Sequence, residues 1–397
     1  MTSEIVLDYR LFDADNHYYE PRDAFTRHIE KRHADKAVRV IIDDRGFDRI
    51  LIGDEPFNFL FPLFRDAPAP GGLAELMRGK KDDGRRPHYP MRPEYQDRSA
   101  RLRAMDEQGV EAAIMLPTLG VTVEHQMRHD VEGTYANLRS FNRWLEEDWG
   151  FSYDNRIFGV PLLSLVDVEL AVQELERVLE EGARLVHLRP GPVNGQNPAH
   201  PKFDRFWARL NEAEVPVVFH LAESGYNELM SVQWGEQPNP NSHKQSAFQW
   251  AMFYGDRPIM DTIAALIYGN LFGRFPRLRA VSIENGTSWL PYLLKRLDKM
   301  KGMGRRGEWI GGKPEGRPSD IFRRHFLISP FFEEDHAELL KLLGPDSIIF
   351  GSDWPHPEGL PQPIDYLASL PPSTPPEHVR MIMRDNARAL VGLPALV

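Results

Sequence analysis

Asp15, His17, His220, Glu284 and Asp353 are all of metal-ligating or proton-carrying type, and each closes or directly follows a short apolar run. Asp15 and His17 are two apart in an extended segment, so both side chains can face the same way. His220 ends Val217-Val-Phe-His220, Glu284 follows Ser282-Ile, and Asp353 lies within Gly351-Ser-Asp-Trp-Pro-His356. A carboxylate placed after a buried strand is costly unless it is paired or metal-bound. The chain has no cysteine, which excludes disulfides, thiolate metal sites and cysteine nucleophiles. Any metal must therefore sit among imidazoles and carboxylates. The expected site is one divalent ion on Asp15, His17, His220 and Asp353, zinc first, with manganese or iron also compatible. Such an ion lowers the pKa of bound water and polarises a carbonyl or carboxylate. Asp353, Glu284 and His220 are the expected catalytic groups.

Four more residues are expected around a substrate. Arg189 stands before Pro190-Gly-Pro and has the fork geometry to clamp a carboxylate. His187, Trp354 and His356 lie at neighbouring strand ends. Each residue also has a plainer reading. Asp353 could cap a helix, His187 could be a hydrogen-bonded core histidine, and His356 could pack a loop. Taken together, the cluster outweighs any one member.

Positioning these groups requires a succession of strands. Apolar, β-branched runs occur at 11–17, 111–117, 157–165, 183–190, 215–222, 278–285, 325–330 and 347–356. Between them lie segments with apolar residues at helical spacing, such as 168–181, 203–213 and 333–343. Eight strands alternating with helices predict an α/β fold, a TIM-type (β/α)8 barrel, in which catalytic groups project from the carboxyl ends of the strands. The glycine-rich fingerprint of a dinucleotide fold is missing after the first run. Residues 1–397 read as a single barrel domain. A long insertion at 43–98, rich in Pro, Gly, Phe and charge, follows strand 1 and reads as a lid or dimerisation element. A second irregular segment covers 223–257, and a Pro-rich linker at 371–376 precedes a final helix at 377–390.

The formal net charge is -10, spread along the chain, which argues against nucleic acid or an anionic membrane as partner. Residues 1–5 lack the basic start and apolar run of a signal peptide, and no apolar stretch reaches the length of a membrane span. The expectation is a cytoplasmic enzyme of a small-molecule substrate.

Asp13-Ala-Asp-Asn-His-Tyr-Tyr-Glu-Pro21 and Phe350-Gly-Ser-Asp-Trp-Pro-His356 resemble the amidohydrolase-2 branch of the amidohydrolase superfamily, which includes aminocarboxymuconate-semialdehyde and resorcylate-type decarboxylases. The likeness runs through Val217-Val-Phe-His220 and Phe275-Pro-Arg-Leu-Arg279. It implies that Asp15 and His17 occupy the first-strand metal motif, His220 the fifth-strand ligand and Asp353 the last-strand aspartate. It also implies a homodimer. The chain departs from the pattern at Glu284, where family decarboxylases usually carry a histidine. A glutamate there suits a general base or a water-orienting group better than a proton donor. Hydrolysis of a carbonyl-containing or aromatic substrate through a metal-activated water is therefore the first expectation. Non-oxidative decarboxylation of an aromatic or unsaturated acid is the alternative, and a catalytically silent barrel used for binding is the third.

Overall fold

The computed structural model describes residues 7–78 and 88–394. Part of the expected insertion, 79–87, and the N-terminal segment 1–5 read above for a signal peptide lie outside the described residues. The first three apolar runs form a parallel sheet, with Leu11–Tyr18 beside Val110–Pro117 and then Ile157–Gly159. The third run continues to Leu162–Leu163, which edges a second parallel sheet through Val186–Leu188, Val217–His220, Ala280–Ile283 and Phe326–Ile328. The eighth run is held by single bridges. Ile348 pairs with Ile328 on one side, and Trp354 pairs with Asn16 on the other. Backbone bonds from Ile349 to Ile328, Ala14 to Phe350 and Asp353 to Asp15 carry the ring from the seventh strand to the first. The fold is thus the expected TIM-type barrel.

Periodicity explains the layers. Phe12, Ala14, Ile114, Phe158, Val218, Val281, Leu327 and Ile349 pack inside the strands. Leu11, Met115, Val217 and Phe326 face the outer helices. Helix Val168–Glu180 buries Ala171, Leu175 and Val178 on one face and starts at Asp167, whose carboxylate accepts from the Leu170 N–H. The expected helix at 333–343 begins later, at His336. Glu334 is occupied in accepting from the backbone N–H groups of Thr287 and Ser288, and Asp335 caps in its place.

The first strand contains a β-bulge between Asp13 and Asn16, where four residues face the three of Ala113–Met115. A bulge shifts the alternation of the strand by one residue. Before it, the even positions Phe12 and Ala14 point into the barrel; beyond it, Tyr18 packs outside. Asp15 and His17 are thereby aimed at the mouth.

The region after strand 1 has structure of its own. Val38–Ile42, Asp48–Ile52 and Glu55–Phe57 form an antiparallel sheet, so this unit begins before Asp43, which sits in its first hairpin turn. Asp66–Ala67 pairs with Tyr89–Pro90. Among the described residues, no helix is long and apolar enough to cross a membrane.

Candidate metal centre

Three strand ends and the turn at 351–354 bring their polar groups to one point. His17 Nε2 lies 3.1 Å from Asp15 Oδ1, 3.4 Å from Asp353 Oδ1 and 3.5 Å from Glu284 Oε2. His220 Nε2 lies 2.9 Å from Glu284 Oε2 and 3.8 Å from Asp15 Oδ1. The donor atoms of Asp15, His17, His220 and Glu284 all lie within 4.8 Å of one another, as do those of His17, Glu284, Asp353 and His356. Asp353 and Glu284 hold left-handed backbone angles, φ 55° and 56°. Such positions are uncommon for non-glycine residues and cluster at functional sites.

The hydrogen bonds fix one tautomer. His220 Nδ1 is 2.7 Å from the Leu221 carbonyl, which can only accept, so Nδ1 carries the proton and the Nε2 lone pair faces the carboxylates. Glu284 Oε2 and His220 Nε2 are buried without a satisfactory hydrogen bond. Lone pairs and carboxylate oxygens crowded in a dry pocket repel unless a cation sits among them. The titration directions carry the same message, with a proton on His220 Nε2 taking the cation's place. Burial alone would lower His220, but Glu284 and Asp15 push it up to about 10. Burial would raise Glu284, yet His220 and His17 hold it well below the carboxylate range. Burial drives Asp353 well above that range, reinforced by Glu284, Glu358 and Asp15. The donor set of three carboxylates and two imidazoles can hold one divalent ion.

His356 belongs to this group. Its ring stacks on His17 at 4.0 Å, its Nδ1 meets Asp353 Oδ1 at 2.7 Å and its Nε2 meets Thr118 Oγ1 at 2.9 Å. His187 is buried in its strand, and burial followed by the nearby His220 and Arg189 charges keeps its pKa well below 6.5.

Two expected substrate residues lie elsewhere. Trp354 packs with Tyr19, Ala67 and Tyr95, and its ring covers the Arg101 guanidinium at 4.5 Å. The left-handed backbone at Asp353 turns it away from that carboxylate and behind the site. Arg189 donates to the carbonyls of Ser224 at 2.8 Å and Pro192 at 3.1 Å, so it braces two mouth loops instead of standing free as a clamp. Sequence reasoning missed Tyr254, Glu223 and Glu358. Burial raises the Tyr254 hydroxyl, and Glu284, Glu223 and Glu358 are close enough to raise it further. Glu358 was legible only as a polar residue two beyond His356.

The mouth loop after His220 depends on Gly225. Its φ is +77°, and a Cβ there would lie 1.9 Å from Cε1 of His125, which is itself fixed 2.8 Å from Glu228. Gly225→Ala should destabilise the protein by about 2–4 kcal/mol, from left-handed strain plus overpacking. Thermal unfolding would check this, and an unchanged Tm would mean that the loop relaxes freely.

A family model described as "Amidohydrolase" matches residues 12–393. A gamma-resorcylate decarboxylase of Polaromonas sp. (strain JS666 / ATCC BAA-500) is 25% identical over 284 residues, covering 66% of this chain and 77% of that protein. An amidohydrolase structure from Mycobacterium avium subsp. paratuberculosis K-10 is 41% identical, with TM-score 0.86, covering 98% of this chain and 100% of the other. A dihydroxybenzoic acid decarboxylase from Polaromonas sp. JS666, solved with bound manganese and the inhibitor 2-nitroresorcinol, shares the fold at 17% identity and TM-score 0.61, covering 96% of this chain and 97% of that one.

Proposed function

This chain belongs to the amidohydrolase family and is a metal-dependent enzyme, and from that premise we propose that it is a non-oxidative decarboxylase of an aromatic or unsaturated carboxylic acid. The observation that carries the reading is the likeness to gamma-resorcylate decarboxylases over 66% of the chain, together with a polar cluster that lies within the residues matched by the family model, 12–393. The sequence put hydrolysis first because Glu284 replaces a histidine. Held anionic between His17 and His220, Glu284 is placed to bind a cation and need not act as the base that hydrolysis would require.

Asp15, His17, His220 and Asp353 would hold the ion, with Glu284 as a fifth donor. When bound, the ion supplies an electrostatic hold on the substrate carboxylate and a neighbouring oxygen. Three carboxylates make this a harder donor set than three histidines would. That supports manganese ahead of the zinc expected from sequence, in keeping with the manganese-bound relative. Loss of carbon dioxide leaves an electron pair on carbon, which must take up one proton. Asp353, a member of the cluster that is also bonded to His356, would carry that proton, and Thr118 anchors the far nitrogen of His356.

The test is product chemistry with the manganese-loaded protein and a panel of hydroxybenzoates beginning with gamma-resorcylate. The expected result is one carbon dioxide per turnover and one solvent deuterium on the product carbon in heavy water. Incorporation of solvent oxygen into an organic product, without carbon dioxide, would return the protein to the hydrolases.

A further inference from the structure

Asp13 is fully buried and bears the shortest side chain that can accept four hydrogen bonds through two oxygens. Its Oδ1 accepts from the backbone N–H of Asp15 at 3.1 Å and of Ser352 at 2.9 Å. Its Oδ2 accepts from Asn16 Nδ2 at 2.9 Å and from the Ser352 hydroxyl. These partners lie on two elements separated by 339 positions in sequence. One is the bulge that aims Asp15 and His17, and the other is the residue before the left-handed Asp353.

The surroundings make the seam rigid. Asn16 Oδ1 receives the Arg101 guanidinium, which also donates to the His17 carbonyl at 2.6 Å. The Trp354 N–H donates to the Ser352 hydroxyl at 3.1 Å, and the Asp353 N–H donates to the Asp15 carbonyl at 2.8 Å. A Cβ on Gly351 would come within 2.4 Å of the Asp15 Cβ, so the two segments are already as close as backbone allows. A buried carboxylate costs desolvation, and a neutral side chain could join two strands more cheaply. What no neutral side chain of this size offers is two acceptor oxygens for four donors.

We propose that Asp13 is a positioning residue that sets the separation of the Asp15 and Asp353 carboxylates across the first-strand bulge and the 351–354 turn. This rests on the reading that those two carboxylates hold one ion. Groups that orient ligands in this way typically change metal affinity by about 10- to 100-fold when removed.

In Asp13→Asn, the amide nitrogen would face Asn16 Nδ2, two donors with no acceptor between them, and the bulge must shift. Ser352→Ala removes one donor and keeps the backbone bond, so it is a milder probe that should fold even if the first does not. The experiment loads the full-length wild type and both variants with cobalt as a spectroscopic probe. It then measures the visible ligand-field band, the dissociation constant by chelator competition, and the Tm of the metal-free protein. The expected result is a shifted band and about 10- to 100-fold weaker binding in Asp13→Asn, with a smaller change of the same sign in Ser352→Ala. A lowered metal-free Tm in the variants, with wild-type band and affinity, would overturn the proposal and leave Asp13 a structural residue. If the wild type itself takes up no cobalt, the metal reading fails and the positioning role falls with it.

Discussion

Asp353→Asn is expected to leave the barrel standing and to lower turnover by about 10³-fold or more, the range associated with losing a proton-transfer group together with a charge at the reacting centre. The fold should survive because the substitution is nearly isosteric. Asparagine tolerates the left-handed φ of 55° as well as aspartate does. Thr118 Oγ1 donates to the Tyr18 carbonyl, so His356 Nε2 donates to Thr118 and Nδ1 accepts; the new amide N–H can replace the carboxyl as donor to His356 Nδ1, 2.7 Å away in the wild type. Stability should move little, because Asp353 is held above the usual carboxylate range by burial and by Glu284, Glu358 and Asp15. In the metal-free protein the neutral amide therefore replaces a side chain whose neutral form the site already favours. The variant would lose the carboxylate that can offer a charge to a bound cation 3.4 Å from His17 Nε2, and with it the capacity to pass a proton. Carbon dioxide release and Tm measured on the same preparation separate the two effects. Near-normal turnover would remove Asp353 from the chemistry, and a collapsed Tm would mean that its role is architectural.

The residues at strand ends were legible because apolar runs mark strands and a barrel puts polar groups beyond their carboxyl ends. The Asp15, His17, His220 and Asp353 group needed nothing more than that rule. The bulge at 13–16 was not legible. It is a backbone event with no glycine to announce it, and it decides which residues of Asp13-Ala-Asp-Asn-His17 reach the mouth. The same applies to Trp354. In sequence it neighbours Asp353, but the left-handed turn at Asp353 sends the two apart, and the Arg101 guanidinium that receives its ring comes from a helix 253 positions away. Arg189 had the right type and place for a clamp. Its engagement depends on the path of the loops carrying Pro192 and Ser224, which local periodicity does not encode. The antiparallel sheet between 38 and 57 was missed although Val38–Ile42 and Ile50–Ile52 are β-branched runs, because the Pro- and Phe-rich stretch at 56–70 drew the whole segment into a loop reading.

Glu284 is where sequence and structure pull hardest against each other. Glutamate seldom occupies the left-handed region, so nothing in Ser282-Ile-Glu-Asn285 announces that its carboxylate turns inward to lie 2.9 Å from His220 Nε2 and 3.5 Å from His17 Nε2. Glu284→Gln distinguishes a ligand from a general base. As a ligand, Glu284 contributes charge to the ion. Its loss should then weaken metal binding by about 10- to 100-fold and depress turnover in proportion at limiting metal. Excess manganese should restore most of that turnover once the site is filled. A general base gives the opposite pattern, since no amount of metal replaces a missing proton acceptor, and turnover stays about 10²-fold or more down with the site saturated. The measurement is turnover titrated against free manganese for both proteins. Recovery on saturation supports the ligand reading and removes the main objection to decarboxylation. A deficit that persists with metal bound restores Glu284 as the base and strengthens hydrolysis. Unchanged affinity and turnover would mean that the three-carboxylate donor set has one member too many, and that the ion rests on Asp15, His17, His220 and Asp353 alone.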